Sequence, residues 1–366
     1  MRFTAGVLKP ALFGLALSWA GPVVGAEAPR PFLHDPADVG DAMLERAAKP
    51  ALVAKIATIV DKPKPSPTGD AHDYVSYGRY WWPDPAKPDG LPFIRRDGRH
   101  NREQMALGDR ERFDAFISTV GILAVSWDRW HREEHARRAG EWLRAWLIAP
   151  ETRMKPALGY AQIRLGRDNN RGSPAGVLEG RGLVDLVDAL RLLQDSPALD
   201  ADESTAVRQW LAEYYRWLQT AEVAREEHAA RNNHGTWFLV QAVALARHLG
   251  RDDEARKLAE EAFALIERQI RSDGRQPLEL EREDGLGYSV FNLQAHAQLA
   301  RLARPLGIEL WNYQAAGGGS LAKALEYLRP YDAAPDKWPH KQNEKLQPGF
   351  LAPVLREIAA LEKSGK

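Results

Sequence analysis

Phe113-Asp114-Ala115-Phe116-Ile117-Ser118-Thr119-Val120-Gly121-Ile122-Leu123-Ala124-Val125 decides how the rest of the chain is read. Its apolar residues return every three or four positions, which places them along one face of an α-helix. A stripe of this kind must be covered by neighbouring helices. The same period recurs in residues 38–60, 104–130, 133–148, 182–194, 203–220, 234–249, 252–271, 288–305, 319–328 and 348–362. Ser196, Asp202 and Asn233 stand before such runs as candidate caps. No stretch keeps the two-residue alternation of a sheet. Connections near Gly250 and Gly274 are short, which favours antiparallel neighbours. The expected fold is all-α: an α/α toroid, an incomplete barrel of antiparallel helix hairpins. Loops at one end of a toroid form a cleft suited to a linear polymer. No repeat of fixed length appears, which argues against a solenoid. Residues 27–366 contain no dividing linker and are expected to form one domain.

Residues 1–26 are read apart from the fold. Arg2 and Lys9 precede an apolar run from Ala11 to Ala20, and Val24-Gly25-Ala26 offers small residues for cleavage. That is the pattern of a secretory signal peptide, with a run too short to span a bilayer. The expected protein is exported to the periplasm or beyond, soluble, monomeric and without a membrane partner. Lys+Arg and Asp+Glu balance at 50 each, and loss of Arg2 and Lys9 leaves a formal charge of −2. A nearly neutral chain has no global attraction for nucleic acid, so that partner is excluded. A polyanion would need a locally basic groove. The chain has no cysteine, which removes disulfides and thiolate metal sites, and no metal is expected. Tryptophan is frequent, at 12 residues, and indoles exposed in a cleft stack on sugar rings.

Two segments interrupt the helical pattern. Residues 61–103 are rich in Pro, Gly, aromatic and charged residues, and residues 150–180 include Asp168-Asn169-Asn170-Arg171-Gly172. Loops of this length in a helical protein are functional or disordered, and the aromatic content of the first argues for order.

Four constellations carry chemistry. Asn232-Asn233-His234-Gly235-Thr236-Trp237 sets two amides, an imidazole and an indole at a helix start, with Trp237 one turn beyond His234. Its plainer reading is a helix capped by Asn233. Glu279-Leu280-Glu281-Arg282-Glu283-Asp284-Gly285-Leu286-Gly287-Tyr288 reads either as a solvated turn or as a site in which Arg282 lowers the proton affinity of Tyr288. A tyrosine tuned in this way acts as acid, base or both. Tyr80-Trp81-Trp82-Pro83 with Arg95, Arg96 and Arg99 is a packed loop or a sugar wall, with indoles for sugar faces and arginines for carboxylates. Glu179-Gly180-Arg181-Gly182 either starts a helix or presents Arg181 to a carboxylate near the helix's positive end. His340, in Trp338-Pro339-His340-Lys341, is a further binding candidate.

Taken together, these motifs over roughly residues 70–345 resemble the alginate lyase superfamily of polysaccharide lyases. The resemblance implies an α/α toroid and β-elimination of an anionic uronic-acid polysaccharide, alginate or glucuronan, without a redox cofactor. It assigns catalysis to Asn233, His234, Arg282 and Tyr288, and substrate binding to Tyr80, Trp81, Trp82, Arg95, Glu179, Arg181, Trp237 and His340. The six-residue step from Arg282 to Tyr288 is shorter by one than in the classical mannuronate lyases. Leu178 also stands where relatives often carry an Asn, which leaves Asn170, Asn233 or Arg181 to neutralise the carboxylate. In mannuronate and glucuronate the C5 proton and O4 share a face, so Tyr288 would be both base and acid. In guluronate they lie on opposite faces, so His234 would be the base. Two other classes remain open: a glycoside hydrolase, which needs paired carboxylates such as Glu179 with Glu279 or Asp284, and a non-catalytic glycan-binding protein.

Overall fold

A computed structural model of the protein describes residues 30–363, so the expected export signal lies outside the described residues. The helices are α1 (Asp41–Val53), α2 (Arg102–Met105), α3 (Arg110–Trp130), α4 (Glu133–Leu143), α5 (Leu183–Leu192), α6 (Ala201–Thr220) and α7 (Glu222–His228). They continue as α8 (Asn233–His248), α9 (Asp252–Gln269), α10 (Pro277–Leu280), α11 (Gly285–Ala303), α12 (Leu321–Asp332) and α13 (Ala352–Lys363). The strands are short: β1 (Val75–Tyr77), β2 (Trp81–Trp82), β3 (Ile94–Arg95) and β4 (Tyr160–Ile163).

The stripe on α3 is buried as its spacing requires, at Phe113, Phe116, Ile117, Val120, Leu123 and Ala124. Phe116 stacks on Trp146 at 4.9 Å between ring centroids, and Phe113 approaches the same indole at 5.9 Å. α3 packs on α5, α5 on α8, and α8 on α11, which makes these four the inner layer. Thirteen of the sixteen residues of α8 are buried, so it is enclosed nearly all round rather than along one stripe. α1 and α4 back α3, α6 and α9 back α8, and α12 and α13 back α11. This is the expected α/α toroid. No helix among the described residues is long and apolar enough to cross a membrane.

Several boundaries differ from the apolar period. The run at 38–60 is α-helical only from Asp41 to Val53, with a 3-10 turn at Ile59–Asp61. Beyond it Arg138 bonds to the Ala54 carbonyl, and the Trp146 indole donates to the Ala57 carbonyl at 3.1 Å, so tertiary partners hold this stretch extended. α6 begins at Asp200, not Asp202, through a capping box with Glu203. α7 and α10 were not visible as periodic runs, and each carries a buried carboxylate, Glu227 and Glu279.

The long loop before α3 is pinned at its root and at its tip. Asp109, fully buried, accepts from the Val75 amide at 2.9 Å and pairs with Lys62 at 3.4 Å, which fixes β1 to the start of α3. β1 runs parallel to β4, while β2 and β3 form an antiparallel pair with Trp81 opposite Arg95. The Asn101 amide donates to the Arg79 carbonyl at 2.8 Å and its side chain to the Trp81 carbonyl at 3.0 Å. Gly78 permits the turn into β2, because a Cβ there would lie 2.5 Å from the Trp81 ring. The segment is thus an ordered flap over one end of the helices.

The Phe113–Phe116–Trp146 contact ties α3 to the outer layer. Phe113→Ala should destabilise the fold by about 3–5 kcal/mol, read as a lower denaturant midpoint at unchanged slope. A loss below about 1 kcal/mol would contradict this account of the core.

Candidate active site

A cleft of about 780 Å³ opens where the inner helices begin. Arg110 at the start of α3, Arg181 before α5, Asn232 and His234 at the start of α8, and Gly287 and Tyr288 at the start of α11 all line it. The positive ends of four helix dipoles therefore converge on one space. Seven arginines line it (Arg79, Arg95, Arg110, Arg164, Arg181, Arg231 and Arg282) against three carboxylates, Glu281, Asp284 and Glu344. A near-neutral chain thus carries a locally basic groove. The leading amides of α8 and α11 are already used: Asn233 N–H goes to Glu279, His234 N–H to Asn232, and those of Leu286 and Gly287 to Gln342. An incoming anion must then be met by side chains.

Tyr288 stands at the centre of the first cluster. Its hydroxyl lies 2.6 Å from the Tyr80 hydroxyl and accepts from Arg282 at 2.8 Å, and the Arg282 guanidinium rests 3.7 Å from its ring centroid. Arg282 is itself fixed by a bidentate pair to Asp97, at 2.8 and 3.0 Å, across 185 residues of chain. Burial would raise the Asp97 carboxyl, but the bonds and charge of Arg282 outweigh it and hold that group below its ordinary value. For Tyr288 the balance runs the other way. Burial raises it first and Tyr80 adds to the rise, while Arg282 offsets only part, so the phenol is held above its ordinary value. The expectation that Arg282 makes Tyr288 more acidic is corrected in net sign, although the guanidinium acts in the expected direction.

The second cluster surrounds His234. Its Nδ1 lies 2.5 Å from the carboxylate of Glu227, which is 3 % exposed. A carboxylate in this position selects the Nδ1–H tautomer and leaves Nε2 for the cleft. The neighbouring amides have separate tasks. Asn232 is the true N-cap and lines the cleft. Asn233 is fully buried and gives both its backbone N–H and its Nδ2 to Glu279, at 2.7 and 2.6 Å. Glu279 is raised by burial against those two bonds. Asn233 therefore braces α8 on α10, and Asn232 is the amide presented to a ligand.

The other binding candidates divide. Tyr80, Trp81, Arg95 and Arg181 line the cleft. The Trp81 ring is flanked by Arg164 and Arg167 at 5.4 and 5.1 Å, so guanidinium groups occupy the indole that was expected to stack on sugar. Glu179 is buried, accepting from Tyr74 at 2.8 Å and Ser76 at 2.5 Å and pairing with Arg110 at 3.3 Å, so its carboxylate positions Arg110 instead of touching a sugar. Trp237 is 4 % exposed and packs on Phe291 at 4.8 Å, inside the helix layer. Trp82 donates its indole N–H to the Arg99 carbonyl at 2.9 Å, outside the cleft lining. His340 bonds to Tyr327 at 2.9 Å and is likewise not part of the lining. Asn170 lies outside the lining as well. Asp97, Arg110 and Glu227 are site groups to which the motifs gave no role, and Asn232 stood in its motif with the role given to Asn233. Among the described residues no cluster of three or more His, Cys, Asp or Glu is placed to hold a metal ion.

The alginate lyase family model matches residues 58–338. A solved alginate lyase from Bacteroides ovatus is 34% identical, with 88% of this chain and 86% of that chain covered and a TM-score of 0.84. Alginate lyase A1-III from Sphingomonas species A1 is 17% identical over 91% of this chain and 88% of its own, with a TM-score of 0.55. A variant of that enzyme complexed with a tetrasaccharide is 16% identical over 84% and 78%, at a TM-score of 0.50. At these identities the two Sphingomonas structures speak for the fold alone. Among curated proteins nothing matches the chain.

Imidazole nitrogen resonances of the wild-type protein should place the His234 proton on Nδ1, and Glu227→Ala should remove that preference. An Nε2-protonated His234 in the wild type would contradict the pairing.

Proposed function

Because the chain belongs to the alginate lyase family and is a polysaccharide lyase, we propose that it cleaves a uronic-acid polymer, polymannuronate or glucuronan, by β-elimination. The observation that carries this reading is the joining of Tyr288, Arg282, Asn232 and His234 around one arginine-lined cleft at four helix N-termini. A polymer of carboxylates complements such a field.

The chemistry follows from acidity. Removing the C5 proton of a uronate adds negative charge beside an existing carboxylate, so the site must first neutralise that group. Asn232 and Arg181 serve this purpose, because Asn233 is committed to Glu279 and His234, as the Nδ1–H tautomer, presents an acceptor to the cleft at Nε2. Donors fixed before the reaction stabilise the enolate-like intermediate most effectively. The C5–H pair of electrons then forms the C4=C5 double bond, the C4–O4 bond breaks, and O4 takes a proton. In mannuronate and glucuronate one group on one face performs both transfers, and Tyr288 has that position. Its raised proton affinity keeps the hydroxyl protonated in the resting site. Arg282, locked to Asp97, stabilises the phenolate and holds the ring in place.

A hydrolase is less well supported. Glu179 and Glu279 are both buried behind other side chains, so neither pairs with Asp284 across the cleft as hydrolysis would require.

Tyr288→Phe should abolish the ultraviolet-absorbing unsaturated product from polymannuronate and glucuronan while the fold is retained by circular dichroism. Full activity in that variant would sink the assignment. Reducing-end release without absorbance by the wild type would favour hydrolysis instead.

A further inference from the structure

The hydrogen bonds around Tyr288 continue past it to Tyr80 and His100. Arg282 has donors only, so its 2.8 Å bond supplies a hydrogen to the Tyr288 oxygen. The Tyr288 proton then has the Tyr80 oxygen, 2.6 Å away, as an acceptor in one of the two directions this contact allows. Tyr80 in turn has one proton and a neighbour able to accept it, His100 Nε2 at 3.5 Å, with the two rings 5.2 Å apart between centroids. That last spacing is at the outer limit of a hydrogen bond and shortens by a small ring movement.

His100 Nε2 is placed to accept from Tyr80. It lines the cleft on the flap, where it is partly exposed. Arg79 and Arg102 face it from the flap and α2, Glu344 from the C-terminal segment, Asp284 from the start of α11, and Tyr80 from β2's leading edge. Burial first, then Arg79 and Arg102, push its proton affinity below the ordinary value near 6.5, so it is neutral at neutral pH. Glu344 and Asp284 act in the opposite sense and stabilise the imidazolium once it forms.

We propose that His100 is the far end of a proton wire, running through Tyr80, that unloads and reloads Tyr288. The inference rests on the acid–base role given to Tyr288 above. In the unloading step the Tyr288 O–H bond breaks and its proton goes to Tyr80, whose own proton passes to Nε2 of a His100 that already carries a hydrogen on Nδ1. The products are a Tyr288 phenolate beside Arg282 and a His100 imidazolium, with no net change in charge. The phenolate is the base that C5–H abstraction needs. If Tyr288 has instead given its proton to O4, the same wire returns one. The wire gives the phenol proton a route out and back, and the lowered proton affinity of His100 favours its return. His100 and Tyr80 are positioning residues in this scheme.

The test uses the full-length enzyme with polymannuronate and follows the unsaturated product. His100→Ala should lower kcat about 10²-fold with KM within about twofold. Added imidazole should restore at least roughly tenfold, in proportion to its free-base fraction, a response that a merely structural residue would not give. Tyr80→Phe, which keeps the ring that packs on His100, should lose a similar factor without rescue by imidazole. A kcat within about twofold of wild type in either variant overturns the wire, as does a His100→Ala loss that lies in KM or ignores imidazole. If Tyr288→Phe is inactive and His100→Ala is fully active, only the wire fails. If Tyr288→Phe is active, the acid–base assignment beneath it fails.

Discussion

The meeting of four inner-helix N-termini at one cleft is the constraint on which the rest of the structure depends. α3, α5, α8 and α11 are successive neighbours, and residues at the start of each line the same space. Each end contributes about half a positive charge, and seven arginines add to them. Such a concentration of like charge is unfavourable without compensation, and the protein compensates selectively. Asp97 holds Arg282 and Glu179 holds Arg110. Arg181, beside Arg110, makes no ion pair among the described residues and rests near the Phe291 ring, 5.8 Å away. A buried guanidinium cannot shed its proton. The charge left uncompensated by the protein is what an anionic polymer would complete.

The same arrangement explains why the candidate groups are held from behind. His234 is oriented by Glu227 on α7, Tyr288 by Arg282 and Asp97, and the start of α8 by Glu279 on α10. Beneath them Gln269, Asn292, His296 and Thr236 form a buried hydrogen-bonded layer between α8, α9 and α11. These contacts fix directions more than they add stability, since a buried polar network roughly balances its own desolvation. What they secure is one geometry for the tyrosine and one tautomer for the histidine.

Much of the toroid was legible in the sequence, because helices packed in two layers bury a stripe and a stripe has a period. α3 and α9 follow that period closely. Short helices do not: α7 has seven residues and α10 four, too few to repeat a stripe, so Glu227 and Glu279 had no visible setting. Asp97 stood within a charged loop and owes its importance to a partner 185 residues away, which no local pattern encodes. The Asn232–Asn233 pair shows the finest limit. Moving a cap by one residue turns a side chain about 100° around the helix, which decides which amide meets the cleft and which is buried. The aromatic residues also divided by environment. Tyr80 reaches Tyr288, whereas Trp237 fills the core and Trp81 lies between arginines, because sequence names an indole without saying what will cover it.

The central claim is that the reacting carboxylate is received at the starts of α5 and α8 while Tyr288 faces C5 and O4. A crystal structure of the Tyr288→Phe protein with an oligomannuronate tests this most directly. The account predicts one carboxylate within hydrogen-bonding distance of Asn232 or Arg181, with C5 and O4 of that sugar toward the ring at position 288. A saccharide bound with its carboxylates turned to solvent, or seated away from the α8 N-terminus, would contradict it.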